Sequence, residues 1–190
     1  VIEDTAVDLQ DLPQYIEDFT AMMANFGQKA VYYAHAGAGE LHLRPILNLK
    51  KQEDVSLFKE IALETAKLVK KYKGSLSGEH GDGRVRAPFL PMMIGENNYK
   101  EKKKIKHTWD PNHIFNSVKV VDVPSMTNYL RYEPNRKEPE IETIFDFSNV
   151  GGIVRATEKC NGSGDCRKTE KSGGTMCPSY MATRNENDVT

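Results

Sequence analysis

The stretch HAGAGELH, residues 35–42, carries a histidine at each end and decides how the middle of the chain folds. Residues 30–36 and 40–46 alternate polar and apolar side chains, and Gly37-Ala38-Gly39 between them allows a tight turn. The pattern therefore predicts an antiparallel hairpin. If residues 38 and 39 form a two-residue loop, His35 faces His42 directly, with their Cβ atoms about 5 Å apart.

The predicted hairpin has one polar and one apolar face. On the polar face, Tyr33 and Arg44 form the pair next to the two histidines, and the apolar face consists of Ala34, Ala36, Leu41 and Leu43. Neutral imidazole is a common ligand of zinc, manganese and iron ions. A third ligand could come from Glu79, beside His80 in the glycine-rich segment 74–83. Metal ligands and half-exposed polar residues both remain open as interpretations of the two histidines.

Two helices, over residues 12–26 and 53–73, are predicted from apolar side chains spaced three and four residues apart. A third helix is predicted over about residues 97–108, ahead of DPNHIFN (110–116). Pro13 suits the first turn of the first helix, and Gly74 suits the end of the second. The elements together predict an α+β fold, in which an antiparallel sheet has helices packed on one face.

Composition and cysteine usage exclude several classes of protein. The net charge is −1 at pH 7, so nothing indicates binding to nucleic acid. No run of about 20 apolar residues predicts a transmembrane helix, and the N-terminus does not resemble a signal peptide. All three cysteines lie in the last 31 residues, which favours a metal or cluster site in a reducing compartment over disulfides. We therefore expect a cytoplasmic protein.

Composition also predicts the domain organisation. Prolines at positions 124, 134 and 139 and mixed charge indicate an extended connecting arm over residues 121–148. Residues 1–120 then form the main domain. Residues 149–190 form a small module that contains every cysteine and few large apolar residues. The start without Met indicates an internal fragment of a longer protein.

Three segments resemble, in the same order, motifs of one family. HAGAGELH resembles the HxGDGNxH segment of FAD-linked oxidases of the vanillyl-alcohol oxidase superfamily, in the branch of D-lactate and D-2-hydroxyglutarate dehydrogenases. SGEHGDG (77–83) resembles the family's GEHG segment, and DPNHIFNSVKV (110–120) resembles its DPxxxLNPGK segment. The sequence departs from these motifs at Ala38, Glu40 and Ser117-Val118, where the family usually has Asp, Asn and Pro-Gly.

The resemblance implies that residues 1–120 are the C-terminal part of the substrate or cap domain of an FAD-dependent D-2-hydroxyacid dehydrogenase. Such an enzyme oxidises a small 2-hydroxy acid to the 2-oxo acid, and the fragment alone would be inactive without its FAD-binding domain. By the same resemblance, His35, His42 and Glu79 would hold a divalent metal, zinc or manganese. His80 would be the catalytic base, and Asn116, Glu79 and His80 would lie near the flavin.

Four further side chains are expected to contact the substrate. Arg84 and Arg86 follow the glycine-rich segment directly and could bind a carboxylate through paired hydrogen bonds. A solvated strand face is the alternative for these two arginines. Tyr33 and Arg44 are included because the predicted register places them beside the two histidines.

The tail resembles the iron-sulfur module fused behind such oxidases in large bacterial dehydrogenases. Cys160, Cys166 and Cys177 follow the pattern C-x5-C-x10-C-P, whereas a bacterial ferredoxin site reads C-x2-C-x2-C-x3-C-P. A 4Fe-4S cluster usually takes four thiolates, so the fourth would come from beyond Thr190. We expect the intact protein to bind a cluster, and the isolated fragment to have three reduced thiols.

Partners and alternatives follow from the same resemblance. The partners would be the missing FAD-binding domain, the rest of the iron-sulfur module and an electron acceptor, either a quinone or a carrier protein. A quinone would place the protein at the inner face of the membrane. An exposed sheet edge could also produce a homodimer. Two other functions stay open: a metal-dependent hydrolase using His35, His42 and Glu79, and a non-catalytic electron-transfer module centred on the cysteines.

Overall fold

The computed structural model describes residues 2–174 and 176–189, which form two compact units, residues 1–136 and 137–190. The described residues contain a three-stranded antiparallel sheet and six α-helices, so the expected α+β class is confirmed. The strands are β1 (Ile2–Ala6), β2 (Ala30–His35) and β3 (Glu40–Pro45). The helices are α1 (Leu12–Asn25), α2 (Gln52–Lys71), α3 (Leu90–Ile94), α4 (Glu96–Trp109), α5 (Ile153–Thr157) and α6 (Pro178–Thr183).

The hairpin of β2 and β3 forms where it was predicted, but its register differs. His35 lies opposite Glu40 and Tyr33 lies opposite His42, so the predicted pairing of His35 with His42 is wrong. The turn takes four residues, 36–39, because a 3-10 turn precedes Gly39, whose φ is +71°. A shift of two positions keeps every side chain on its face, so the two histidines are diagonal neighbours on one face.

Strand β1 was not predicted, and it changes the environment of the hairpin. The strand order is β1-β3-β2, so β3 is the central strand and residues 40–43 are all buried. His42 is therefore 3% exposed, and the expectation of a half-exposed residue is wrong for it. Strand β2 is an edge strand, and Ala34, although predicted to face the core, is exposed. Ala36 was also predicted to face the core, but it lies in the turn after β2 and is exposed.

Helices α1, α2 and α4 confirm the three predicted helices, although none of the residues of α4 is buried. The core contains the buried faces of α1 and α2 together with Leu41 and Leu43 of β3. Its largest fully buried side chains from α1 are Tyr15, Phe19 and Met23. Because Leu41 and Leu43 alternate with Glu40 and His42, the two helices cover the opposite face of β3 from the one that carries His42.

The first unit includes residues 121–136, the start of the predicted connecting arm. Val121 and Met126 are buried. Asp122 accepts from Lys103 at 2.5 Å and contacts Nε2 of His107 at 2.7 Å, so α4 holds this segment through two side chains. The functional division at residues 120 and 148 stays a prediction.

The second unit, residues 137–190, is built differently. Among its described residues, Cys177 alone is buried. Its helices α5 and α6 have five and six residues. Cys177 is the residue directly before α6, and Pro178 starts that helix, as its fixed φ favours. Across the described part of the chain, no helix combines the length and the apolar character needed to span a membrane.

Candidate metal and substrate site

Four side chains from two separate segments meet on the histidine-bearing face of the hairpin. The segment 77–80 lies over this face and brings Glu79 and His80 to His35 and His42. Oε1 of Glu79 lies 3.9 Å from Nε2 of His35, 3.7 Å from Nε2 of His42 and 2.9 Å from Nε2 of His80. The structure therefore brings together the residues that the first two motifs contribute.

The geometry of three of these side chains fits a divalent ion. Ligand atoms of His35, His42 and Glu79 all lie within 4.8 Å of one another, and no other group of this kind occurs among the described residues. Ligand atoms that surround a tetrahedral zinc at about 2.1 Å are about 3.4 Å apart. The two Nε2–Oε1 distances, 3.7 and 3.9 Å, need only a small contraction. Two imidazoles and one carboxylate also leave coordination positions open for a substrate.

Ring contacts hold His42 in its orientation. Its imidazole stacks between the rings of Tyr33 and His80, with centroids 5.4 Å away on each side, and the ring of His35 lies edge-on at 5.2 Å. Nδ1 of His42 is buried and has no hydrogen-bond partner within the described ranges. A ligating histidine usually donates its second ring N–H to a neighbour, whereas the ring of His42 is restrained by its contacts with Tyr33 and His80.

Sequence reasoning missed Asp4, whose buried carboxylate lies directly behind the segment 77–80. It accepts hydrogen bonds from Ser77 and from the backbone N–H groups of residues 78, 79 and 80. Burial acts to raise the pKa of Asp4, but hydrogen bonds from Glu40 and from this segment outweigh it and hold the pKa well below its ordinary value. IEDTAV, residues 2–7, does not alternate polar and apolar side chains, so the sequence contains no period-2 signal for the strand that carries this residue.

Glu40 is the second buried carboxyl group behind the site, at the position where the family motif has Asn. Its hydrogen bond with Asp4 and its burial raise the pKa of Glu40, and the nearby Glu79 carboxylate adds to the effect. A Cβ on Gly78 would lie 2.9 Å from the Glu40 carboxyl carbon. The absence of a side chain at Gly78 thus lets the segment approach β3 closely.

The two arginines predicted to bind substrate have different surroundings. Arg86 donates to Asp4 at 3.0 Å, to the carbonyl of Leu76 at 3.2 Å and to the carbonyl of Gly81. These contacts use its guanidinium to hold the glycine-rich segment. Arg84 donates to the carbonyl of Tyr129 at 3.1 Å and is half-buried. A substrate contact by either arginine stays a prediction.

The other two predicted substrate contacts lie on the sheet face that carries the histidines. Tyr33 is 57% exposed and stacks on His42. Arg44 is exposed and follows His42 by two positions on β3, so its side chain lies on the same face. Arg44 pairs in register with Val31, and the predicted pairing with Tyr33 is wrong because of the changed register.

The third motif meets the second through the backbone. Asp110 accepts from the N–H groups of Ile114 at 2.7 Å and Phe115 at 3.1 Å, which shapes the turn that presents Asn116. Asn116 is exposed, with a φ of +47°. The N–H of Val120 donates to the carbonyl of Gly83 at 2.8 Å. All three motif segments are therefore connected in the first unit.

The three cysteines are free thiols with different exposure. Cys160 is exposed, Cys166 is half-buried and Cys177 is buried. Sγ of Cys177 donates to the carbonyl of Asp188 at 3.6 Å, and Sγ of Cys160 accepts from the N–H of Gly162 at 3.4 Å. A role for these thiols as cluster ligands stays a prediction.

Comparisons with known proteins agree with the motifs. Residues 1–120 match the family described as FAD linked oxidases, C-terminal domain. The D-2-hydroxyglutarate dehydrogenase of Pseudomonas putida is 33% identical over 184 residues, which are 96% of this chain and 18% of that protein. The D-2-hydroxyglutarate dehydrogenase of Haemophilus influenzae is 32% identical over 191 residues, 97% of this chain and 18% of the relative. The glycolate oxidase subunit GlcD of Bacillus subtilis is 23% identical over 120 residues, 63% of this chain and 26% of its own length. The chain thus spans about a fifth of the two dehydrogenases.

Proposed function

The chain belongs to the family of FAD-linked oxidase C-terminal domains, and from this premise we propose that it carries the metal site and catalytic base of a D-2-hydroxyacid dehydrogenase. The observation that supports the proposal is the meeting of His35, His42 and Glu79, with His80 directly beside Glu79. The substrate would be a small 2-hydroxy acid. D-2-hydroxyglutarate is favoured, because the relatives that match nearly the whole chain act on it by name.

His80 would act as the base. Its side chain is half-exposed, so a substrate can reach it, and its Nε2 lies 2.9 Å from the Glu79 carboxylate, which can stabilise the imidazolium once it forms. His80 would accept the proton of the 2-hydroxyl group. His35, His42 and Glu79 would hold a zinc or manganese ion, and the positive charge of this ion would lower the pKa of that hydroxyl group.

FAD would bind beside the same face. The donor set suits a flavin, because Asn116 is exposed on a turn that Asp110 holds, and the Val120–Gly83 hydrogen bond connects that turn to the segment of Glu79 and His80. Asn116, Glu79 and His80 would therefore face the cofactor. Bound FAD supplies the two-electron acceptor that none of these side chains can provide.

Substrate recognition would use side chains around His42. Tyr33 and Arg44 lie on the same sheet face, and a guanidinium group can bind a carboxylate through two parallel hydrogen bonds. Arg84 is a further contact in the proposal. The guanidinium of Arg86 already donates to Asp4, Leu76 and Gly81. Arg86 would therefore affect substrate binding indirectly, by holding the glycine-rich segment in place.

The cysteine segment would serve electron transfer in the longer protein. A 54-residue unit in which Cys177 alone is buried among the described residues has little apolar core, and small units of this kind commonly depend on bound metal for stability. Cys160, Cys166 and Cys177 would be ligands of a 4Fe-4S cluster together with a fourth thiolate. Electrons would then pass to a quinone or a carrier protein.

The test is the metal content of the purified 190-residue chain after exchange into zinc or manganese. We expect about one ion per chain, lost in His42→Ala and His35→Ala and retained in the control His107→Ala. His107 is a half-exposed histidine that contacts Asp122 outside the site. A chain without bound ion, or with the same content in His42→Ala, would contradict the proposal.

A further inference from the structure

The carboxylate of Asp4 connects the unpredicted strand β1 to the segment that carries Glu79 and His80. Asp4 is fully buried and lies where the pairing of β1 with β3 shifts between Ile2 and Thr5. Besides the hydrogen bond with Glu40, its side-chain oxygens accept from five donors: Ser77 Oγ at 2.7 Å, Gly78 N at 3.0 Å, Glu79 N at 2.9 Å, His80 N at 2.9 Å and Arg86 Nη1 at 3.0 Å.

Three of these donors are consecutive backbone N–H groups, which form a concave anion-binding arrangement around the carboxylate. Hydrogen bonds to the N–H groups of Glu79 and His80 fix the two peptide planes and therefore the directions of the two Cα–Cβ bonds. Nδ1 of His80 also lies 3.9 Å from Oδ2 of Asp4, behind the ring whose Nε2 faces Glu79. Asp4 thus determines the position of both side chains from the protein interior.

Little regular structure holds this part of the chain. Residues 74–83 contain four glycines and lie outside the helices and strands of the first unit, apart from the β-bridge between Ser75 and Ala6. A glycine-rich backbone loses much conformational freedom when it is ordered, so a single conformation needs strong fixed contacts. Charge-assisted hydrogen bonds to a buried carboxylate are among the strongest contacts available in proteins.

We propose that Asp4 is a positioning residue that holds the segment 77–80, and thereby sets Glu79 and His80 against the two hairpin histidines. Asp4 does not touch the proposed ion or the substrate. It acts through the backbone of the two residues that would. The inference rests on the proposed metal site for its functional consequence, whereas the positioning of the segment can be measured without any metal.

The test compares Asp4→Asn with the control Thr5→Val in the 190-residue chain. Asparagine has nearly the same shape, but its NH2 group cannot accept hydrogen bonds. That group would face either two or three of the N–H and O–H groups that now donate to the carboxylate. Thr5 is the neighbouring residue, equally buried, and its hydroxyl accepts from Tyr15 at 2.9 Å, away from the segment. Thr5→Val therefore measures the effect of removing a buried hydroxyl group from β1 without changing the contacts to the segment 77–80.

Three measurements decide the outcome: Zn²⁺ affinity, the visible absorption of the Co²⁺-loaded chain, and amide hydrogen exchange of residues 75–83 in the metal-free chain. For Asp4→Asn we expect a 10- to 100-fold weaker Zn²⁺ affinity, as for other supporting contacts of metal ligands, a changed Co²⁺ spectrum and faster exchange. For Thr5→Val all three should match the unmodified chain. Equal affinity and exchange in Asp4→Asn would overturn the proposal.

Two further results keep the outcome decisive. If the unmodified chain does not bind Zn²⁺ or Co²⁺, the proposed metal site is wrong, and hydrogen exchange alone decides whether Asp4 holds the segment. If Asp4→Asn does not fold, Ser77→Ala replaces it, because that change removes one hydrogen bond to Asp4 and no buried charge. A few-fold loss of Zn²⁺ affinity with faster exchange in Ser77→Ala would support the proposal, and unchanged values would overturn it.

Discussion

The two units of this chain present candidate ligands in opposite ways. In the first unit, Glu79 and His80 lie on an irregular segment, yet a buried carboxylate and a guanidinium group hold that segment from behind. In the second unit, Cys160 and Cys166 lie on short turns, and among the described residues only Cys177 has a buried side chain.

The difference indicates how each set of ligands would work. Side chains that are already close together bind an ion with little loss of conformational freedom, because the fold has ordered them. Thiols on a unit with almost no core need the ion itself, or further residues, to order them. The first unit therefore has the properties of a preorganised site, and the second those of a site completed on assembly.

The largest effect that tests this comparison concerns two glycines with similar backbone angles. Gly39 has φ +71° and ψ 15°, and an added Cβ would overlap the carbonyl oxygen of Val7, whereas Gly164 has φ +75° and ψ 8°, and an added Cβ would lie in ordinary contact, 3.8 Å from the guanidinium of Arg167. Both alanine variants carry the backbone cost of a left-handed residue, about 1–2 kcal/mol. We expect Gly39→Ala to lower the free energy of unfolding by about 3 kcal/mol more than Gly164→Ala does.

Urea unfolding followed by circular dichroism measures this difference, with the unmodified chain as reference. Equal losses in the two variants would show that the turn of the hairpin is no more constrained by packing than the cysteine-containing unit.

An intermediate effect is expected in the reactivity of the three thiols. Cys177 is 2% exposed and donates to Asp188, whereas Cys160 is exposed. A thiol reagent in the metal-free chain should modify Cys160 about 10- to 100-fold faster than Cys177, because Cys177 reacts only after local opening. Titration with and without denaturant, read by mass spectrometry of each cysteine peptide, checks the order. Equal rates would show that the second unit gives no protection even at Cys177.

The smallest effect compares one buried hydroxyl with one exposed hydroxyl. Tyr15 donates to Thr5 at 2.9 Å inside the core, and Thr183 donates to the carbonyl of Ser179 at 3.1 Å on the surface of α6. Tyr15→Phe should lower the free energy of unfolding by about 1 kcal/mol, and Thr183→Val should leave it nearly unchanged. Thermal unfolding of both variants measures the difference. A larger loss of unfolding free energy in Thr183→Val than in Tyr15→Phe would contradict this expectation.

Several parts of the fold could be predicted from local patterns. The bounds of α1 and α2 follow from apolar side chains on one helical face, because a helix closes its hydrogen bonds within about four residues of sequence. The two strands of the hairpin follow from alternation around a glycine-containing turn. The meeting of His35, His42 and Glu79 was expected from the resemblance of two motifs, and the structure brings these side chains together.

Other features could not be predicted, because they depend on contacts distant in sequence. The hairpin register depends on a four-residue turn, and alternation alone does not distinguish it from a two-residue turn. Strand β1 is short, and it becomes a strand through pairing with β3, about 40 residues away.

The sequence by itself determined helices α1, α2 and α4, the hairpin and the chemical identity of the candidate ligands, since each depends on residues a few positions apart. Tertiary structure alone decided that β3 is central, that His42 is buried and that Asp4 lies behind Glu79 and His80. The physical reason is that a buried carboxylate is tolerated only where several donors meet it, and those donors come from a segment more than 70 residues away along the chain.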